Sequence, residues 1–266
     1  MMQFNKELCV GCGLCAKECY PEYLTMGEGY PVLPEQGCME CGHCVAICPN
    51  QALSMTGDGY TPEDVIPYDE SLMQIDPKHL SQFMRYRRSV RHYKPDAVSR
   101  DVLMQVLEEG RYSPTGSNTQ SVRYIVLEQD KMQYMKLAAE ALWQSAQASG
   151  LPPTKVVEKI YQNSCNGVDK LFHGAPAVIL ILDTERRSNY SNAYIAASRI
   201  ELMAQSLGLG TCYIGLFLHA MAYNPKIAEL LALPEGYQVQ AVLAIGYPED
   251  QFMRTAPRKP LSVEWK

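Results

Sequence analysis

Eight of the ten cysteines in this 266-residue chain fall into two copies of one spacing. Cys9, Cys12, Cys15 and Cys19 follow Cys-x2-Cys-x2-Cys-x3-Cys, and Cys38, Cys41, Cys44 and Cys48 repeat it 29 residues further on. Three thiols this close can wrap one face of an iron–sulfur cubane, and the fourth ligand must then come from elsewhere. A disulfide framework belongs to small secreted domains. Structural zinc is usually held by two Cys-x2-Cys pairs, without the strict third and fourth cysteines. The spacing therefore predicts two [4Fe–4S] clusters.

Over residues 1–56 the pattern resembles the bacterial two-cluster ferredoxins. In such pairs the fourth cysteine of each run ligates the other cluster. That assigns Cys9, Cys12, Cys15 and Cys48 to one cluster, and Cys38, Cys41, Cys44 and Cys19 to the other. One departure is visible: Pro49 follows Cys48 directly, whereas Tyr20 separates Cys19 from Pro21. Between the runs, Pro21, Gly27, Gly29, Pro31, Pro34 and Gly37 predict turns and short strands, and residues 52–55 a last small strand. His43 reads as filler of a cluster loop. So little apolar material is available that the clusters must do most of the organising.

Such thiolates need a reducing compartment, which points to the cytoplasm. No basic stretch followed by an apolar one opens the chain. The longest strongly apolar run, residues 175–182, is far too short to span a membrane, so the expectation is a soluble protein. Net charge is −5, with −4 of it in residues 1–56. An acidic protein whose one basic run is Arg85, Arg87, Arg88, Arg91 and Lys94 is a poor nucleic-acid binder.

Residues 57–75, broken by Gly57, Gly59, Pro62 and Pro67, read as a linker. From Asp76-Pro77, an N-cap with proline at the first helical position, the pattern turns to helices and strands. Helices are predicted from Asp76 and over residues 99–109, 130–147, 154–164, 189–207 and 224–231, and strands over 122–127, 177–182 and 237–246. Cys212 reads as a packed core thiol and Cys165 as a loop thiol. No Ser-His-Asp set, His-rich metal site or convincing general acid appears, so no catalytic residue is assigned.

Arg87, Ser89 and Arg91 alternate along an extended stretch and can converge on one phosphate. With Tyr93 they resemble the phosphate-binding start of the FMN-dependent nitroreductase family. Three further stretches agree in the family's order: residues 113–120 with its second flavin loop, 207–215 with its segment over the isoalloxazine ring, and 257–261 with its C-terminal phosphate clamp. The resemblance covers residues 76–266. It implies an α+β flavoprotein, an intertwined homodimer, with FMN at the subunit interface. Arg87, Ser89, Arg91, Arg258 and Lys259 would hold the phosphate. Pro114, Thr115, Ser117 and Asn118 would contact the flavin from the partner chain. Backbone amides near Gly215 and Leu216 would face flavin N5. Some family members carry an acidic residue at position 215; glycine there leaves a more open flavin face.

Together these readings predict a nitroreductase-like domain preceded by a small ferredoxin-like 2[4Fe–4S] domain. A cluster moves one electron and a flavin can pass on two. The expected function is an oxidoreductase passing electrons from an external donor, ferredoxin or NAD(P)H, through both clusters to FMN and on to a small organic acceptor such as a nitroaromatic or quinone. The alternatives are an electron carrier without acceptor turnover, or another flavin reaction on the same fold, such as reductive dehalogenation or flavin fragmentation.

Overall fold

The computed structural model describes residues 2–20, 22–57, 59–60, 62–184 and 191–266. It divides into two compact units: Met1–Ile75 with Ser117–Thr119, and Asp76–Gly116 with Gln120–Lys266.

The first unit contains β1 (Met2–Phe4), α1 (Leu14–Glu18), β2 (Thr25–Gly27), β3 (Tyr30–Val32), α2 (His43–Ala46) and β4 (Leu53–Met55). β1 and β4 pair antiparallel, Gln3 opposite Ser54. β2 and β3 form a hairpin whose two turn residues, Glu28 and Gly29, both have positive φ (41° and 86°); that turn matches the twist of the flanking strands. The sequence repeat is also a conformational one. Left-handed backbone recurs 29 residues apart at Gly11 and Glu40 (φ 68° and 52°), Gly13 and Gly42 (73° and 72°), and Glu22 and Gln51 (55° and 54°). At Gly11 a β-carbon would sit 2.7 Å from Gly29 O, so a side chain is excluded there by contact as well as by φ. Cys15, Leu24, Cys44 and Leu53 form its core cluster, and Ala52 and Met55 are buried as well. Residues 57–75, read as structureless from sequence, contain a 3-10 turn over Pro62–Asp64 and the one-turn α3 (Glu70–Met73), capped by Asp69, whose carboxylate accepts from Ser71 N.

The second unit runs α4 (Pro77–Tyr86), α5 (Arg100–Arg111), β5 (Arg123–Leu127), α6 (Lys131–Ala148), α7 (Lys155–Cys165), β6 (Ala177–Thr184), α8 (Asn192–Ser206), β7 (Gly210–Tyr213), α9 (Gly215–Tyr223), α10 (Lys226–Leu231) and β8 (Tyr237–Gly246). Helix starts carry their caps: Asp76 accepts from Lys78 N and His79 N, Ser99 from Val102 N, and Thr154 from Val157 N. The sheet is antiparallel in the order β5-β6-β8-β7. Its two central strands are buried on both faces. Val178, Leu180 and Leu182 pack with Leu142, Ile160, Phe217 and Ile227 of α6, α7, α9 and α10. Ala177, Ile179 and Ile181 pack with Val106 of α5 and Ala193, Ala197 and Ile200 of α8. Helices on both faces explain why β6 reads as an unbroken apolar run. The predicted start of α8 at residues 189 and 190 lies outside the described residues. In this unit two elements were not anticipated: β7, whose Gly-Thr-Cys-Tyr carries no alternation, and α9, largely apolar but for the exposed His219 and so without a polar stripe.

Among the described residues no helix is long and apolar enough to cross a membrane.

Candidate functional site

One cavity in the first unit is lined by Cys9, Cys12, Cys15 and Cys48, with Phe4, Pro31 and Leu53 among its apolar walls. Two short helices make this possible: α1 turns Cys15 inward, and the turn after α2 brings Cys48 back to it. Cys15 is raised above the ordinary thiol range, by burial first and also by the neighbouring Cys48 and Cys12 charges. Cys44 is pushed up to about 11 by burial, with Cys38 and Cys41 adding to it. Cys19 packs against the apolar core that holds Cys44. All ten cysteines are free of disulfides. Among the described residues no three His, Cys, Asp or Glu side chains close on a single-ion site; the thiols surround a space rather than a point. Such a donor set fits a cubane better than one zinc ion. Backbone amides also point at sulfur: Gly11 N donates to Cys9 Sγ at 3.4 Å, Glu40 N to Cys38 Sγ at 3.3 Å, and Ala52 N to Cys48 Sγ at 3.2 Å. Bonds of this kind tune a cluster's potential.

In the second unit the segment after α4 runs along β7. Val90 N donates to Thr211 O at 2.9 Å, and Lys94 N to Tyr247 O at 2.9 Å. Ser89 bridges Thr211 in parallel, and Tyr93 bridges Pro248. Alternation then puts residues 87, 89 and 91 on one side. All three act on Cys212, which is 2% exposed. Burial pushes its thiol up, while the Arg91 charge, a hydrogen bond with Ser89 and the Arg87 charge pull it back. A basic, hydroxyl-bearing strip of this kind fits a phosphate.

Sequence reasoning missed Glu201 on α8, which is 5% exposed. Its Oε1 accepts from Arg87 Nη1 at 2.9 Å and from Thr211 Oγ1 at 2.9 Å. Burial, then the Glu201 charge and a hydrogen bond to it, push the Tyr213 phenol up. A signal was available. Glu201 lies four residues after Ala197 and eight after Ala193, on the small, buried stripe of α8. An acid on such a stripe needs a cation.

The loop at residues 113–121 carries three non-glycine residues of positive φ: Ser117 (52°), Asn118 (51°) and Gln120 (47°). Strained backbone of this sort persists where its surroundings hold it. Within the first unit, Asn118 Nδ2 donates to Met39 O (3.1 Å) and Glu40 O (3.0 Å). In the second unit, Thr115 Oγ1 accepts from Gln120 N, and Asn192 Oδ1 from Gly116 N. Asp183, fully buried, accepts from Ser121 Oγ at 2.6 Å and Thr184 N at 2.7 Å. Pro114 is exposed and makes no hydrogen bond through a side chain. Asp183→Ala is expected to cost about 2 kcal/mol and to speed amide exchange over residues 113–121 more than over β6. Asp183→Asn, which keeps an acceptor oxygen, should stay close to the parent in the same exchange measurement.

Gly215 and Leu216 open α9, where the first amides of a helix have no intrahelical partner. A β-carbon on Gly215 would meet open space, leaving room for a flat ring above these amides. Arg258 and Lys259 lie on the exposed segment after β8. Among the described residues, no hydrogen bond or ion pair joins them to Arg87, Ser89 or Arg91; Arg258 Nη1 donates to Pro257 O.

The nitroreductase family model matches residues 84–247, and the model of a 4Fe-4S dicluster domain matches residues 1–49. An NADH dehydrogenase of Thermus thermophilus is 22% identical over 181 residues, covering 62% of this chain and 84% of its own. An iodotyrosine deiodinase of Hydra vulgaris is 22% identical over 229 residues, covering 78% of this chain and 81% of its own. The crystal structure of a nitroreductase with bound FMN from Bacteroides fragilis superposes with a TM-score of 0.57 at 20% identity, over 70% of this chain and 97% of that one; at that identity it shows the fold. With its model matched across most of the second unit, the chain belongs to the nitroreductase family, as an oxidoreductase that carries a 4Fe-4S dicluster domain over residues 1–49.

Proposed function

We propose that this protein takes electrons one at a time from an external donor and delivers them in pairs to a small organic acceptor, with two [4Fe–4S] clusters and FMN as its cofactors. The observation that carries this reading is the cavity lined by Cys9, Cys12, Cys15 and Cys48, in a chain of the nitroreductase family. The clusters supply single-electron transfer, and FMN supplies the conversion from one electron to two. Cys38, Cys41, Cys44 and Cys19 hold the second cluster. Arg87, Ser89 and Arg91 bind the flavin phosphate. The amides of Gly215 and Leu216 orient the ring, and Pro114, Thr115, Ser117 and Asn118 contact the flavin of the partner chain. Arg258 and Lys259 complete the phosphate clamp in a homodimer. Exposure of Leu261 (89%) and Trp265 (93%) on the same tail supports a second copy as their cover. The free thiols suit a reducing compartment such as the cytoplasm. Ferredoxin is the favoured donor, since built-in clusters accept single electrons, and a nitroaromatic or quinone is the favoured acceptor.

The test is anaerobic titration of the purified protein with reduced ferredoxin, and in parallel with NADPH. Bleaching of cluster and flavin absorbance by ferredoxin, reversed by a nitroaromatic, is the expected result. Rapid bleaching by NADPH alone would replace ferredoxin as donor. A protein that carries no FMN even after reconstitution would sink the reading. Reductive dehalogenation is the second reading, supported by the similarity to an iodotyrosine deiodinase across 78% of the chain; a halotyrosine in the same titration, with released halide measured, separates the two.

A further inference from the structure

We infer that Glu201 is the positioning residue of the phosphate site: it fixes the Arg87 guanidinium against β7 so that its unused N–H groups are presented to the flavin phosphate. The inference rests on the FMN reading above. Glu201 is buried, and one oxygen takes both Arg87 Nη1 and Thr211 Oγ1 at 2.9 Å. Thr211 O in turn accepts Val90 N, one residue before Arg91 on the same segment. One carboxylate therefore joins the basic segment to the glycine-rich strand. A second α8 side chain fastens the preceding helix: Gln205 Nε2 donates to Phe83 O at 2.6 Å. Arginine has five donors in a rigid fork, so an ion pair through Nη1 leaves the others for an anion. An unrestrained arginine at a helix end would lose side-chain entropy on gripping phosphate; one already pinned loses less. The Arg87 side chain is 30% exposed, open enough to receive a ligand.

The test compares FMN with riboflavin, which lacks the phosphate, on full-length protein stripped of flavin with its clusters retained. Glu201→Gln keeps an acceptor for Thr211 and removes the charge that holds Arg87. FMN affinity is expected to fall about 10-fold, the scale of one charge-assisted hydrogen bond, while riboflavin affinity stays within about two-fold of the parent. In the Arg87→Gln background, adding Glu201→Gln should weaken FMN no further, because the two residues act as one unit. Equal losses for both flavins would mean a merely structural role and overturn the inference. So would unchanged FMN binding, or losses that multiply in the double variant. If Glu201→Gln does not fold, Glu201→Asp, one methylene too short to reach both partners, gives the same reading with a smaller loss of about 3-fold. Parent protein that binds FMN no tighter than riboflavin would remove the phosphate-site reading itself, and the inference with it.

Discussion

Cys48→Ser is expected to halve the iron of the anaerobically purified protein, from roughly eight atoms per chain to roughly four. Cys48 closes the second cysteine run in sequence, yet it lines a cavity with Cys9, Cys12 and Cys15 of the first. Cys19→Ser should remove the other cluster to the same extent. Double variants separate crossed from uncrossed ligation. If the sets are crossed, Cys9→Ser with Cys48→Ser damages one cluster and keeps roughly four irons, whereas Cys9→Ser with Cys19→Ser damages both and keeps almost none. An uncrossed arrangement reverses the two outcomes. Cys165→Ser and Cys212→Ser, which alter thiols outside the repeats, should leave the iron unchanged. The lost cluster also removes much of what organises the first unit, whose buried core is small among the described residues. Raised protease sensitivity of residues 1–56 is therefore expected alongside the iron loss.

How much of this was legible in the sequence depends on how local the signal is. Cysteine spacing is local, and it carried the cluster chemistry of the first unit. Helix starts are local too: those expected at Asp76, Ser99 and Thr154 fall within a residue of the observed ones, and each of these residues proves to be the cap. The conformational repeat was half hidden: Gly11 announces positive φ, but Glu40 and Gln51 do not, because their left-handed backbone is imposed by the loop and not by the residue. β6 gave no sign of which side chain faces which core, since both faces are covered and residues 177–182 are all apolar. α9 escaped because its sequence, Gly-Leu-Phe-Leu-His-Ala-Met-Ala-Tyr, offers no polar stripe to set a helical period. Asp183 and Asn192 were invisible as site residues because their partners, Ser121 and Gly116, lie far away in sequence, and Glu201, though it stands on an apolar stripe, did not reveal its partner Arg87. A buried acid is conspicuous only once the surface that buries it is known.

Gly210→Ala is the second large effect expected, and it tests whether the basic segment and β7 must touch. A β-carbon at position 210 would lie 2.4 Å from Val90 Cγ2 and 2.8 Å from Val90 Cβ. Val90 cannot simply rotate away: its Cβ belongs to a backbone held by the bond from Val90 N to Thr211 O. Gly210 cannot retreat either, because it pairs with Gly246 on β8, where a β-carbon would in turn strike Pro176 and Tyr93. The extra methyl must push the segment off the strand, a strain of about 3 kcal/mol at a packed site. The same displacement carries Arg87, Ser89 and Arg91 away from Thr211 and Glu201, so FMN affinity is expected to fall by more than 10-fold. Thermal unfolding of the second unit reads the first effect, and flavin fluorescence titration the second. Val90→Ala added to Gly210→Ala removes both methyls of the valine and should recover a large part of each loss, although the alanine β-carbon still crowds the site. Two changes that are each harmful alone but partly compensate together report a direct contact. Losses that simply add would mean that the segment and β7 are held apart by something other than this pair, and that the strip of Arg87, Ser89 and Arg91 does not depend on lying flush against β7.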